Sequence, residues 1–176
     1  HNPDLFLHEL CRITDQALIS LLVLFPLPQG AALAAVGGYG RGELFPYSDV
    51  DLLILLAHDP LPTDESKLSD CVTALWDIGL EPGYSVRTIA QCIEEADADI
   101  TVETSLLETR FITGEQSLFE AFEHTMIEQL DPRAFFQAKL AEMKQRHGRF
   151  QDTAYALEPN CKESPGGLRD LQVILW

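Results

Sequence analysis

Five consecutive aliphatic residues, Leu52-Leu53-Ile54-Leu55-Leu56, follow directly on Ser48-Asp49-Val50-Asp51. A strand without polar alternation is one covered on both faces, so this run predicts a strand buried inside a helix-covered sheet. Asp49 and Asp51, spaced i and i+2, then share one face where that strand reaches the rim of the sheet. Two carboxylates so close repel one another unless a cation neutralises them. Mg²⁺ suits the task, because it takes one or two carboxylates together with phosphate oxygens and water.

Eleven residues before Asp49 the chain carries Gly37-Gly38, the start of GGYGRGEL. Glycines there give a turn whose backbone N–H groups can approach phosphates with no side chain in the way. Arg41 adds a permanent cation and Ser48 a hydroxyl on the same side. A Gly-Gly alone reads as a turn and an Asp-x-Asp alone as a solvated strand end; in series they point to phosphate chemistry. A Walker-type loop is excluded, since no Gly-Lys-Ser/Thr follows the glycines. A dinucleotide fingerprint fits poorly, since the glycine spacing is wrong and a strand follows.

Gly37-Gly38-x-x-Arg41-x-Glu43 followed by Ser48-Asp49-x-Asp51 resembles the signature of the DNA polymerase beta-type nucleotidyltransferase superfamily. More narrowly, GGYGRGELFPYSDVDLLIL is similar to the PII uridylyltransferase family, and the block from Leu157 to Asp170 resembles that family's LEPN-x-KE-x-PGGLRD segment. The resemblance implies an α+β fold with a small mixed sheet flanked by helices and a helical segment after it. It implies an enzyme that moves UMP from UTP to a tyrosine hydroxyl of the protein PII, with Mg²⁺ on Asp49 and Asp51 and the phosphates on Gly37, Gly38, Arg41 and Ser48. Adenylyl transfer to another acceptor, and a catalytically silent module on the same scaffold, are the alternatives. Superfamily members place a third carboxylate on the strand after the next helix. Here that strand reads Tyr84-Ser85-Val86-Arg87-Thr88 and has no acid. The third acid is left open among Glu81, Asp99, Glu103 and Glu108, and Arg87 is either a phosphate contact or an ordinary strand-end arginine.

Composition narrows the partners. The 176 residues carry 28 acidic against 12 basic side chains, a formal net charge of −16. A general nucleic-acid binder needs a basic face, so a protein or free nucleotide is the expected partner. Four scattered cysteines without a Cys-x-x-Cys pair read as reduced thiols of a cytoplasmic protein. No signal peptide is recognisable, and the longest apolar helical run, Ala17 to Pro26, is too short for a bilayer.

Along the chain, Asp4 to Phe25 shows a helical apolar pattern that Pro26, Pro28 and Gly30 stop. Residues 1–30 are expected as an N-terminal helix, 31–114 as the nucleotidyltransferase core and 115–176 as a helical extension, its apolar end at Ile174-Leu175-Trp176 reading as the start of a further helical region. Strands are expected at Ala32 to Val36 and Tyr84 to Thr88, with a helix from Ser66 to Ile78 making a crossover unit. That helix is expected to bury Leu68, Cys71, Val72, Leu75 and Trp76. Asp97-Ala98-Asp99 reads as a cap for a helix over Ile100 to Thr109, with Glu108 and Arg110 as an ion pair. Helices follow at Ser117 to Leu130 and Arg133 to Phe150, the latter with Phe135 and Phe136 in the core. Asn160, Lys162 and Arg169 are read either as nucleotide contacts or as parts of a surface linker.

Overall fold

The computed structural model describes residues 3–80, 82–150 and 160–176. The chain divides into two compact units, His1–Gln129 and Leu130–Trp176. Within the first, the order is α1 (Pro3–Leu24), β1 (Ala32–Ala35), α2 (Gly37–Gly40), β2 (Val50–Leu56), α3 (Pro62–Asp77), β3 (Pro82–Thr88), α4 (Ile89–Ala98), α5 (Ile100–Leu107), β4 (Arg110–Gly114) and α6 (Gln116–Gln129). The strands form one mixed sheet in the order β3-β2-β1-β4. β1 lies antiparallel to both β2 and β4, and β2 runs parallel to β3 across the α3 connection. The expected crossover unit is therefore present.

Period-two alternation divides the sheet between two cores. Leu33, Ala35, Val50, Leu52, Ile54 and Leu56 meet Cys11, Leu18 and Leu21 of α1 and Leu68, Cys71 and Leu75 of α3. On the opposite face, Ala32, Ala34, Leu53 and Leu55 meet Cys92 and Ala96 of α4, Leu106 of α5, and Phe119, Phe122 and Met126 of α6. Leu52 to Leu55 are at most 1% exposed, which is the double coverage their composition requires. The small side chains of β1, three of them alanine, let helices on both faces close on the sheet.

Local signals start the helices where expected. Pro62 occupies the first turn of α3, and the Asp64 carboxylate accepts from the Leu61 N–H at 3.1 Å. Thr88 and Gln91 form a reciprocal capping box at α4. Asp99 caps α5 by accepting from the Thr101 N–H at 2.7 Å, as its position suggested.

Two expectations about burial fail. Trp76 is 53% exposed, because the buried stripe of α3 runs through Leu68, Cys71, Ala74 and Leu75 and leaves Trp76 at its margin. In α7 (Pro132–Arg149) Phe135 is buried but Phe136 is 62% exposed, since adjacent helical positions point about 100° apart.

The second unit holds α7 and α8 (Leu168–Leu175), and α7 buries two cations, Lys139 and Arg146. Arg146, 4% exposed, donates to Glu142, to the Glu163 carbonyl and to Asp170 at 2.9–3.1 Å. His147 bonds the same Asp170 at 2.9 Å. Lys139 lies 4.2 Å from the Trp176 ring centre, and burial holds its ammonium below the usual lysine range. No helix among the described residues is long and apolar enough to cross a membrane.

Candidate active site

α2 is a single helical turn at the end of β1, and it supplies the glycines picked out above. Gly37 has φ +57°, a backbone region that favours glycine. The Val36 N–H donates to the Asp51 carbonyl at 3.1 Å and fixes the turn to the start of β2. A side chain at Gly37 would begin 3.9 Å from Asp51 Oδ2 and 3.6 Å from Ser105 Oγ. The bare backbone of the turn, the carboxylate of β2 and a hydroxyl of α5 thus surround one small volume.

Asp51 leaves the sheet on the face that carries Leu53 and Leu55, while Val50 is buried on the other. Asp49 immediately precedes β2 and is exposed, as is Ser48. The Ser48 N–H closes a turn onto the Phe45 carbonyl at 3.0 Å. Across the parallel pair, Asp51 is in register with Gly83. A Cβ at Gly83 would stand 2.4 Å from Asp51 Oδ1, so glycine there keeps that flank of the carboxylate clear.

Arg41 lies directly behind the turn. Its guanidinium bonds Glu43 at 2.9 Å and Glu108 at 2.5 Å, and Nη2 lies 3.7 Å from where a Gly38 Cβ would stand. Glu108 therefore pairs with Arg41 and not with Arg110, as sequence proximity had suggested. Glu108 closes α5 with φ −101° and ψ 57°, and Arg110 opens β4, so the two side chains serve different partners. Arg110 makes a two-pronged bond to Asp15 of α1, at 2.7 and 3.0 Å. The same carboxylate accepts from the hydroxyl of Tyr39 at 2.5 Å, and the Arg110 guanidinium sits 5.2 Å from the Tyr39 ring centre. Burial, then the Asp15 carboxylate, pushes the Tyr39 hydroxyl far above its ordinary range. Burial works against the Arg110 charge, but the Asp15 bond and charge outweigh it and raise its pKa. The grouping of Asp15 with Tyr39 and Arg110 carried no sequence signal, since Asp15 lies 24 and 95 residues from them along the chain.

Of the other residues considered, Asp99 is an N-cap and Arg87 lies 3.5 Å from Glu95. Glu103 is held above the usual carboxylate range, first by burial and then by the charge of Asp97. Glu81 lies outside the described residues. Asn160 caps its own loop, accepting from the N–H groups of Lys162 and Glu163, and Arg169 bonds Glu163 at 3.0 Å.

Compared with known proteins, residues 19–147 match the family model described as a nucleotidyltransferase domain. The chain belongs to that family. Residues 134–176 of this nucleotidyltransferase chain also match the model described as GlnD PII-uridylyltransferase. Over 174 residues, 99% of its length, the chain is 67% identical to the bifunctional uridylyltransferase/uridylyl-removing enzyme of Bordetella avium and 63% identical to that of Bordetella parapertussis. It is 59% identical over 177 residues to the protein of the same name from Burkholderia lata. The chain spans 20% of the length of each of these curated relatives. A solved toxin-antitoxin structure with AMP-PNP aligns over 78% of this chain and 96% of its own at 16% identity and a TM-score of 0.40, and it adds nothing to the assignment.

A nucleotidyltransferase domain implies a nucleotide substrate and a divalent metal, and the donors present fit such an ion. The Asp51 carboxylate offers hard oxygen donors beside the turn, with the Ser105 hydroxyl near it and the exposed Asp49 carboxylate two residues before. Among the described residues no three His, Cys, Asp or Glu side chains converge into a cage. Two carboxylates with the rest left to phosphate and water is the coordination Mg²⁺ tolerates best.

Proposed function

We propose that this domain transfers UMP from UTP to a tyrosine hydroxyl of the nitrogen-regulatory protein PII, with release of pyrophosphate. The observation that carries the reading is Asp51, in register with a bare Gly83 on one side and facing the Gly37 backbone on the other. The similarity to proteins named uridylyltransferase over 99% of the chain supports the choice of UTP, and the GlnD-type match over 134–176 supports PII as the acceptor.

In this reading Asp49 and Asp51 hold Mg²⁺, which when bound offsets the charge of the triphosphate and favours departure of pyrophosphate. Gly37 and Gly38 let the phosphate chain lie against backbone N–H groups, and Ser48 donates its hydroxyl to it. Arg41, fixed behind the turn, is the nearby counter-cation. The phenolic oxygen of the acceptor forms a bond to the α-phosphorus, the bond to the bridging oxygen breaks, and the phenolic proton is released. The cytoplasm, where free UTP and reduced thiols coexist, is the compartment this reading assigns.

Calorimetric titration of the four nucleoside triphosphates with Mg²⁺ tests it. UTP is expected to bind tightest, and binding is expected to vanish in Asp51→Asn and on chelation. Preference for ATP would replace uridylyl by adenylyl transfer; binding indifferent to Asp49→Asn, Asp51→Asn and chelator would remove the enzyme reading altogether.

A further inference from the structure

Arg41 is separated from Glu108 by 67 residues, yet their 2.5 Å contact is the more enclosed of its two ion pairs, with the Glu108 side chain only 9% exposed. Backbone packing backs it up. A Cβ on Gly40 would fall 1.9 Å from the Glu108 carbonyl oxygen, so α2 and the end of α5 touch main chain to main chain. The residue that ends α5 thus meets the turn twice, through its carbonyl and through its carboxylate. Three residues earlier, the same helix brings Ser105 Oγ to within 3.6 Å of the Gly37 Cβ position.

We infer that Glu108 is a positioning residue for nucleotide binding: it aims the Arg41 guanidinium and thereby sets the shape of the Gly37–Gly40 turn. The inference rests on the nucleotide site proposed above but concerns a residue that does not touch the nucleotide. Glu43, the other partner of Arg41, is 44% exposed and so holds it less firmly. A guanidinium has fixed planar donors, so losing the enclosed carboxylate swings the whole group and not a single N–H. Asp15 and Arg110 hold Tyr39 of the same turn through separate bonds, so the turn keeps a second clamp when Glu108 is replaced.

The test compares Glu108→Gln, Glu43→Gln, Arg41→Gln and the double variant R41Q/E108Q. Amide exchange of residues 37–42 is measured without nucleotide, and UTP·Mg²⁺ affinity by calorimetry. Glu108→Gln is expected to speed exchange at the turn and weaken UTP by roughly tenfold, the loss of a charge-assisted bond. Glu43→Gln is expected to do less. Because Glu108 acts through Arg41, the double variant is expected to bind no worse than Arg41→Gln alone. Additive losses overturn the inference, as does unchanged exchange in Glu108→Gln. Tighter UTP binding in Glu108→Gln also overturns it, since Glu108 would then be a competitor for Arg41. Should the parent protein not bind UTP, the function reading fails while the exchange measurement still decides whether Glu108 holds the turn. If Glu108→Gln does not fold, Glu108→Asp keeps the charge one methylene shorter and is expected to show the same changes at smaller size.

Discussion

Replacing Gly40 with alanine adds one methyl group where there is no room for it. The new Cβ would lie 1.9 Å from the Glu108 carbonyl oxygen, 2.9 Å from its carbon and 3.0 Å from the Ala35 carbonyl oxygen. All three are main-chain atoms, so no side chain can rotate away, and α2 and α5 must separate by about 1 Å to reach ordinary contact. Strain of this kind sits at the upper end of the overpacking range, about 3 kcal/mol. For a domain this size, each kcal/mol lowers the melting temperature by about 3 °C, so a fall of about 9 °C is expected in a calorimetric or dichroism melt. Gly148, in α7 with nothing within 4 Å, is the control. Alanine there is expected to stabilise by about 0.5 kcal/mol through the entropy of the unfolded chain. A Gly40→Ala protein that melts within a degree or two of its parent would refute the close approach of α2 to the end of α5.

Gly83→Ala separates function from stability: its Cβ meets only the tip of the Asp51 side chain, which can turn aside. Little change in melting but a marked loss of Mg²⁺-dependent nucleotide binding is expected by calorimetry. Asp170 gives residues 130–176 an acid-sensitive anchor. Burial alone would raise its pKa, but hydrogen bonds from His147, the Gly166 N–H and Arg146 bring it below the usual aspartate value. A carboxyl depressed in the folded state stabilises fully above its unfolded pKa of about 4 and loses that stabilisation as pH falls through the lower folded value. Melts from pH 7 to 3 are expected to show a steeper acid decline for the parent than for Asp170→Asn. Among the thiols, Cys161 is exposed whereas Cys11, Cys71 and Cys92 are buried, and burial pushes Cys92 up to about 11. A disulfide reagent at pH 8 is expected to titrate one thiol quickly in the native protein and the other three only on unfolding.

Much of this fold is written in short-range pattern. The unbroken aliphatics of β2 announce a doubly covered strand, Asp99 announces a helix start, and the crossover from β2 through α3 to β3 follows from spacing. The site's two carboxylates and two glycines stand out for the same reason, as they lie within fifteen residues of one another. What holds them in place is not readable this way. Arg41 finds Glu108, and Arg110 finds Asp15, only after the sheet has brought distant segments together. Pairing Glu108 with Arg110 on nearness alone failed because a helix end and a strand start intervene between them. Trp76 and Phe136 mark a second boundary, since periodicity locates a buried stripe but not its edges.

The strand order has a bearing on how the protein is made. β1 pairs with β4, so Ala32–Ala35 waits for Arg110–Gly114 before both its edges are satisfied. While the ribosome is still adding α3 to α5, the four residues of β1 lie with one row of backbone groups facing water or any passing strand. Cotranslational closure of this sheet is thus a late event, and a chain released before Gly114 would carry an open edge along β1.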